Sequence, residues 1–174
     1  GRRASASDSK GLFFVYLYGI YEKCVYDGWA AAQDVVRAHR LTRREIRHEL
    51  LSMALDPDFS SLESVGRRRD WDKRRQLSGQ VFSAEACAFD EWPFPTDGNH
   101  MRPAQLQTIW SIVGITAPVV PDTRYETRLI ELVERRNAVA HGRETPDSVG
   151  QRFSTTELKT RQSEVAECCL HFLS

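Results

Sequence analysis

The chain has 174 residues, 41% hydrophobic and 28% charged, which fits one folded domain and excludes a disordered polyelectrolyte. Its 24 basic side chains balance 24 acidic ones, so global charge selects no nucleic-acid partner and any such binding must come from a local patch. The four cysteines form no Cys-x-x-Cys pair and the five histidines have no ligand spacing, so neither a disulfide framework nor a metal or other cofactor is expected.

Residues 1–9 are polar and begin without Met; they read as a disordered leader, a cloning remnant or the cut edge of a longer chain, with a single domain over 10–174. Asp8 or Ser9 is positioned to cap a long helix from about Gly11 to His39, whose first half is apolar almost all round and reads as a central buried helix. Phe13, Phe14, Tyr16, Tyr18 and Tyr21 are expected in the core. The apolar run Leu12–Tyr21 is too short to cross a bilayer and lacks a signal-peptide cleavage site, so a cytoplasmic chain without a membrane partner is expected.

Thr42 and Glu45 have capping-box spacing and predict a helix that stops before Asp56-Pro57. A basic helix is expected over about Ser64–Gln80. Within it Arg67, Arg68, Arg69, Lys73, Arg74 and Arg75 surround Trp71, a composition suited to a phosphate backbone with the indole for base stacking, although a solvated helix face has the same composition. Gln80–Phe82 is ambiguous between helix and strand. Ser83–Met101, with its Pro-rich and Thr-Asp-Gly turns, reads as a long irregular loop in which His100 has an incidental place.

Pro103 suits the first turn of a helix carrying Leu106, Ile109, Trp110 and Val113, with Gly114 as its C-cap. Pro118 and Pro121 stiffen the next connector. Thr123 and Glu126 predict a capping box opening a helix that carries Leu129, Ile130, Leu132 and Val133 and ends at His141-Gly142. Ser154 and Glu157 predict a third box before a last helix with Leu158, Val165, Cys168, Cys169 and Phe172 on one side. The expected fold is all-α, a helical bundle.

The informative segment is Glu134–Gly142 (ERRNAVAHG). At 100° per residue, Leu129, Ile130, Val133, Arg136, Asn137, Ala140 and His141 share an arc of roughly 140°. A guanidinium, a carboxamide and an imidazole therefore interrupt an apolar stripe, which costs free energy unless they are paired or needed. Asn137 and His141 stack on one face, while Arg136 and His141 flank the arc and meet only across a cleft. A purely structural reading pairs Arg136 with a core glutamate and lets His141 cap the helix dipole.

The segment from Arg136-Asn137 to His141-Gly142 resembles the Arg-x4-6-His signature of the HEPN superfamily. Phe14–Val25 (FVYLYGIYEKCV) resembles the first helix of stand-alone prokaryotic HEPN proteins, and Pro95–Asn99 (PTDGN) with Leu106–Ile109 and Gly114-Ile115 resembles their middle. The likeness runs from about Leu12 to Phe172. It implies an up-down HEPN bundle with an additional helix, dimerisation with Arg/His helices face to face, and metal-independent RNA cleavage in a toxin, restriction or antiviral system. It also implies a supporting role for Glu22, which is suited to pair with Arg136 and set its orientation, although a carboxylate at the edge of a buried stripe has the same place in the sequence. Some HEPN toxins carry a Tyr two residues after the His as a site of modification by a partner; here that position is Arg143.

The residue types suit the chemistry independently. Cleavage by the ribose 2′-hydroxyl needs one proton removed and one supplied, and histidine does either near neutral pH. An Arg fork stabilises the phosphorane, and Asn137 is suited to orient the imidazole or bind a phosphate oxygen. One motif His per chain cannot be acid and base in one step, which predicts a homodimer with a composite site. The expected partners are RNA, a second copy and a restraining antitoxin or defence protein. The alternative is a catalytically silent HEPN module that binds RNA or nucleotide or assembles a larger defence protein.

Overall fold

A computed structural model describes residues 5–64, 70–87, 94–95 and 100–174. Among them the fold is all-α: eight helices, no strand, and a single isolated bridge between Thr42 and Ala86. Contacts group the chain into two units, residues 1–28, 96–107 and 117–174 in one, and 29–95 and 108–116 in the other.

In the first unit, α1 (Ala6–Ala38, its residues up to 28) begins five residues before Gly11. Ser5 is the reason: its hydroxyl accepts from the Asp8 amide at 3.0 Å while the Asp8 carboxylate accepts from the Ser5 amide at 2.7 Å, a reciprocal cap. Phe14, Tyr18, Tyr21 and Val25 form the buried face of α1, on a period of three to four residues. Phe13 is half-buried, and Tyr16 is 72% exposed, on one face with the exposed Leu12 and Ile20. The expectation of burial all round and of Tyr16 in the core is thus corrected: apolar character on every side does not supply a neighbour for every side.

Helix α6 (Arg124–Ala140) lies mainly against α8 (Thr155–Leu173). It buries Leu129, Leu132 and Val133, while α8 buries Leu158, Val165 and Cys168, each large apolar side chain worth about 1.5–3 kcal/mol when removed from water. Arg161 bridges across the pair to Glu131 at 2.8 Å and pairs within α8 with Glu164 at 3.1 Å. The Ser154–Glu157 capping box forms in full. The Thr123 box does not: Thr123 already has helical φ and ψ, and Asp122 one residue earlier accepts from the Arg124 amide at 2.8 Å instead. Ile130, expected on the core stripe, is 38% exposed. The short α7 (Pro146–Gly150) has Thr145 as its cap and Pro146 in its first turn. It approaches α1 closely, since a Cβ on Gly11 would lie 2.0 Å from the Pro146 carbonyl oxygen.

In the second unit the Thr42–Glu45 motif makes a turn, the Thr42 amide and hydroxyl both reaching the Glu45 carboxylate at 3.0 and 2.6 Å, but helix begins only at α2 (His48–Ala54). The Glu45 amide bonds to the Thr42 carbonyl at 3.0 Å, so the Thr42 hydroxyl does not cap it. Helix α2 stops at Ala54, before Asp56-Pro57 as expected, and Asp56-Pro57 then opens α3 (Asp56–Ser64), Pro57 being tolerated in a first turn. Helix α4 (Asp70–Gln80) settles Gln80 as helical, with Val81 and Phe82 in a turn. Helix α5 (Pro103–Val113), of which the residues from 108 on belong to this unit, ends at Gly114, whose φ of 73° and the Ile115 amide bond to the Trp110 carbonyl at 2.8 Å make the left-handed cap.

Candidate active site

The last turns of α6, the middle of α1 and the residues leading into α5 bring four expected or unexpected polar groups together within the first unit. Arg136 is half-buried and its guanidinium carbon lies 4.8 Å from the Tyr18 ring centre, within cation–π range. Its Nη1 donates to the Asn137 carboxamide oxygen at 3.0 Å. Asn137 is the buried polar side chain among the described residues, 7% exposed, so its oxygen is satisfied by the neighbour it fixes. No carboxylate among the described residues pairs with Arg136. Only Nη1 is engaged there, which leaves Nε and Nη2 as a fork for an oxyanion.

His141 caps the C-terminus of α6, with its amide bonded to the Asn137 carbonyl at 3.0 Å and its ring exposed. Among the described residues the imidazole nitrogens have no hydrogen-bond partner, which frees the ring for an incoming group. The 140° separation between Arg136 and His141 is filled by a residue that sequence reasoning set aside. His100 has its Nδ1 3.5 Å from Arg136 Nη1, its ring centre 6.3 Å from that of His141, and its edge against Tyr18 at 6.1 Å. Burial holds its pKa below the ordinary histidine value, and the positive charges of Arg136, His141 and Arg102 act in the same direction against a smaller opposing effect of Glu22.

Glu22 does not meet Arg136. Its Oε1 accepts from the Tyr18 hydroxyl at 2.7 Å, and that hydroxyl in turn accepts from the Met101 amide at 3.0 Å. The expected Glu22–Arg136 pairing is therefore replaced by an indirect one, in which Glu22 and the Met101 amide hold Tyr18 and the Tyr18 ring holds the guanidinium. Desolvation, with the bond to Glu22, pushes the Tyr18 phenol up to about 12, so it stays protonated and donating. The amide that fixes the hydroxyl belongs to the residue after His100, so one tether positions both Arg136 and His100.

Asn137 also lines a cavity of about 330 Å³, where Arg102, Arg135 and Arg143 stand against Glu134 and Glu144. The mixed charge makes it a polar groove rather than a phosphate cradle. No cluster of three or more His, Cys, Asp or Glu among the described residues is placed to hold a metal ion. Cysteine chemistry has little support: burial pushes the Cys168 and Cys169 thiols up to about 12, away from the reactive thiolate. No helix among the described residues is long and apolar enough to cross a membrane.

Of the expected RNA-binding residues, Arg67, Arg68 and Arg69 lie outside the described residues. Trp71, Lys73, Arg74 and Arg75 lie on α4, in the second unit, and α4 buries none of its residues. Trp71 is 76% exposed, with Arg74 5.3 Å over its ring and 2.9 Å from the Asp70 carboxylate.

A family profile described as HEPN_MAE_28990-like HEPN matches residues 4–174. The chain belongs to this HEPN family. No curated protein and no solved structure matches it. The match to the HEPN family takes in the Arg136–His141 segment and the His100 loop alike, and it begins before Ala6, the first residue of α1. Membership indicates an RNase-like or nucleotide-binding module; the residues of this HEPN domain must carry any finer reading.

Proposed function

We propose that this HEPN domain is a metal-independent endoribonuclease that cuts RNA by attack of the ribose 2′-hydroxyl on the adjacent phosphate. The observation that carries the reading is the uncompensated guanidinium. Arg136 is half-buried, fixed by Asn137 and the Tyr18 ring, unpaired with any described carboxylate, and beside the His100 imidazole, whose ring centre is 6.3 Å from that of His141. A core ion pair would have spent that charge. Here Nε and Nη2 are positioned for the extra charge of a phosphorane, where a preorganised donor contributes most. His141 moves a proton, Asn137 orients Arg136, and Glu22 acts on it through Tyr18.

The same reading keeps RNA as the partner, with the α4 run Trp71, Lys73, Arg74 and Arg75, and Arg67–Arg69 before it, as a proposed backbone contact. A homodimer is proposed with it, supported by the exposed stripe Leu12, Tyr16 and Ile20 on α1. Its test is the mass in solution. A restraining antitoxin or defence partner belongs to the proposal as well.

The test is RNA incubated with purified wild type and His141→Ala in EDTA. Cleavage by wild type and a loss of at least about 100-fold in the variant are expected. Equal cleavage by both, or strict dependence on Mg²⁺, ends the assignment. RNA binding without cleavage by wild type supports the silent module instead.

A further inference from the structure

We infer that His100 is the second proton-transfer residue of this site, so that one protomer carries both imidazoles that the cut requires. The inference rests on the ribonuclease reading and adds to it a residue outside the Arg-to-His motif. Three observations place His100 there. Its ring stands between Arg136, 3.5 Å from Nδ1, and His141, 6.3 Å between ring centres. Its backbone neighbour Met101 is tied at 3.0 Å to the Tyr18 hydroxyl, which holds the chain here, and the ring itself packs against Tyr18 with 6.1 Å between ring centres. Among the described residues its Nε2 has no partner, and its Nδ1 faces an Arg N–H at the outer limit of a hydrogen bond.

These contacts assign a role. An Arg N–H beside Nδ1 selects the tautomer with the lone pair on Nδ1 and the proton on Nε2. The groups facing the ring are Arg136, His141 and Arg102, which disfavour its protonation, Glu22, which favours it, and the neutral Tyr18 phenol; desolvation adds to the first set. These surroundings favour the neutral imidazole at His100, and its Nδ1 stands beside the guanidinium that would hold the phosphate, the place where a 2′-hydroxyl would lie.

The step then balances within one chain. The 2′-hydroxyl displaces the long 3.5 Å contact of Arg136 from Nδ1 as the guanidinium turns to the phosphate; its proton passes to the freed Nδ1 lone pair and the 2′-oxygen forms a bond to phosphorus. The bond from phosphorus to the 5′-oxygen breaks, and that oxygen takes a proton from the His141 imidazolium. The products are a 2′,3′-cyclic phosphate and a 5′-hydroxyl. The dimer loses its chemical necessity, because the shortage of one histidine per chain disappears.

The experiment measures single-turnover cleavage in EDTA across pH 5–8, on an ordinary RNA and on one with sulfur in place of the scissile 5′-oxygen, a leaving group that needs no proton. His100→Asn keeps an acceptor near the Nδ1 position for Arg136 but cannot titrate. It is expected to unfold at the wild-type temperature, to lose about 100-fold on both substrates, and to lose the rise of rate with pH that lies below pH 6.5 in wild type. His141→Gln is expected to lose as much on ordinary RNA and to recover to within about 10-fold of wild type on the sulfur substrate. His100→Asn within threefold of wild type, or restored by the sulfur substrate, overturns the role of His100 and leaves the ribonuclease reading standing. Failure of wild type to cut either RNA overturns both.

Discussion

Helices α6 and α4 each lay an arginine over an aromatic ring, Arg136 over Tyr18 at 4.8 Å and Arg74 over Trp71 at 5.3 Å, yet the two pairs differ in what surrounds them. Tyr18 is 1% exposed and Trp71 is 76% exposed. Arg74 has the Asp70 carboxylate 2.9 Å away, and Arg136 has a carboxamide and an imidazole. On α4 the charge is matched by a partner and by water, so a screened contact there is worth little. On α6 the charge is held half out of water without a counter-ion among the described residues, which is tolerable where an anion is to be received. Arginine with an aromatic neighbour is a common sequence pattern; burial without neutralisation is what separates a candidate site from a solvated face.

The largest effect that would sharpen this contrast is at Arg136. Arg136→Lys keeps the charge but loses the planar fork, and is expected to slow RNA cleavage by about 100-fold with little change in RNA affinity at low salt. A rate within threefold of wild type would put Arg136 on the same footing as Arg74. Next in size is Tyr18→Phe, which keeps the ring under the guanidinium but strips the Met101 amide of its acceptor and Glu22 of its donor. It is expected to cost about 1–3 kcal/mol in denaturant unfolding and to slow cleavage about 10-fold. An unchanged rate would uncouple the tether from the site.

The α4 side should respond more weakly. The double change Trp71→Ala with Arg74→Ala is expected to weaken RNA binding by roughly 10-fold and to lower the salt slope by about one contact, with kcat altered less than threefold. A loss of kcat comparable to that at Arg136 would break the contrast. Smaller again is the pH dependence of stability. The folded state lowers the pKa of His100, so the unfolded chain binds the extra proton more readily. The contribution is present above the ordinary histidine value and is lost as pH falls through it. Tm measured from pH 7.5 to 5 should therefore fall slightly less for His100→Asn than for wild type.

The distinction between the two arginines shows what the sequence could carry. Arg136, Asn137 and His141 were legible because α6 has a strong period, and polar residues on an apolar stripe stand out against it. The end of α6 at His141-Gly142 and the Gly114 cap were legible for the same local reasons. His100 was not, because the sequence before it has no period that assigns a face; the Met101 amide bond to Tyr18 and the contacts of the ring with Tyr18 and Arg136 place it. The Glu22 partner was misread because a charge was matched with a charge, while the fold interposes a phenol. The Thr123 box failed since Thr123 is already helical and the Asp122 carboxylate, one residue sooner, accepts from the Arg124 amide. Helix α7 had a readable signal in Thr145-Pro146, a cap followed by a first-turn proline.

The ends left on the RNA test the account most directly. Wild-type protein should be incubated with a defined RNA in EDTA, and the fragments weighed by mass spectrometry. A 2′,3′-cyclic phosphate facing a 5′-hydroxyl, with no cut where the upstream ribose lacks its 2′-hydroxyl, is the predicted result. A 3′-hydroxyl facing a 5′-phosphate, or a cut that proceeds without the 2′-hydroxyl, would contradict it.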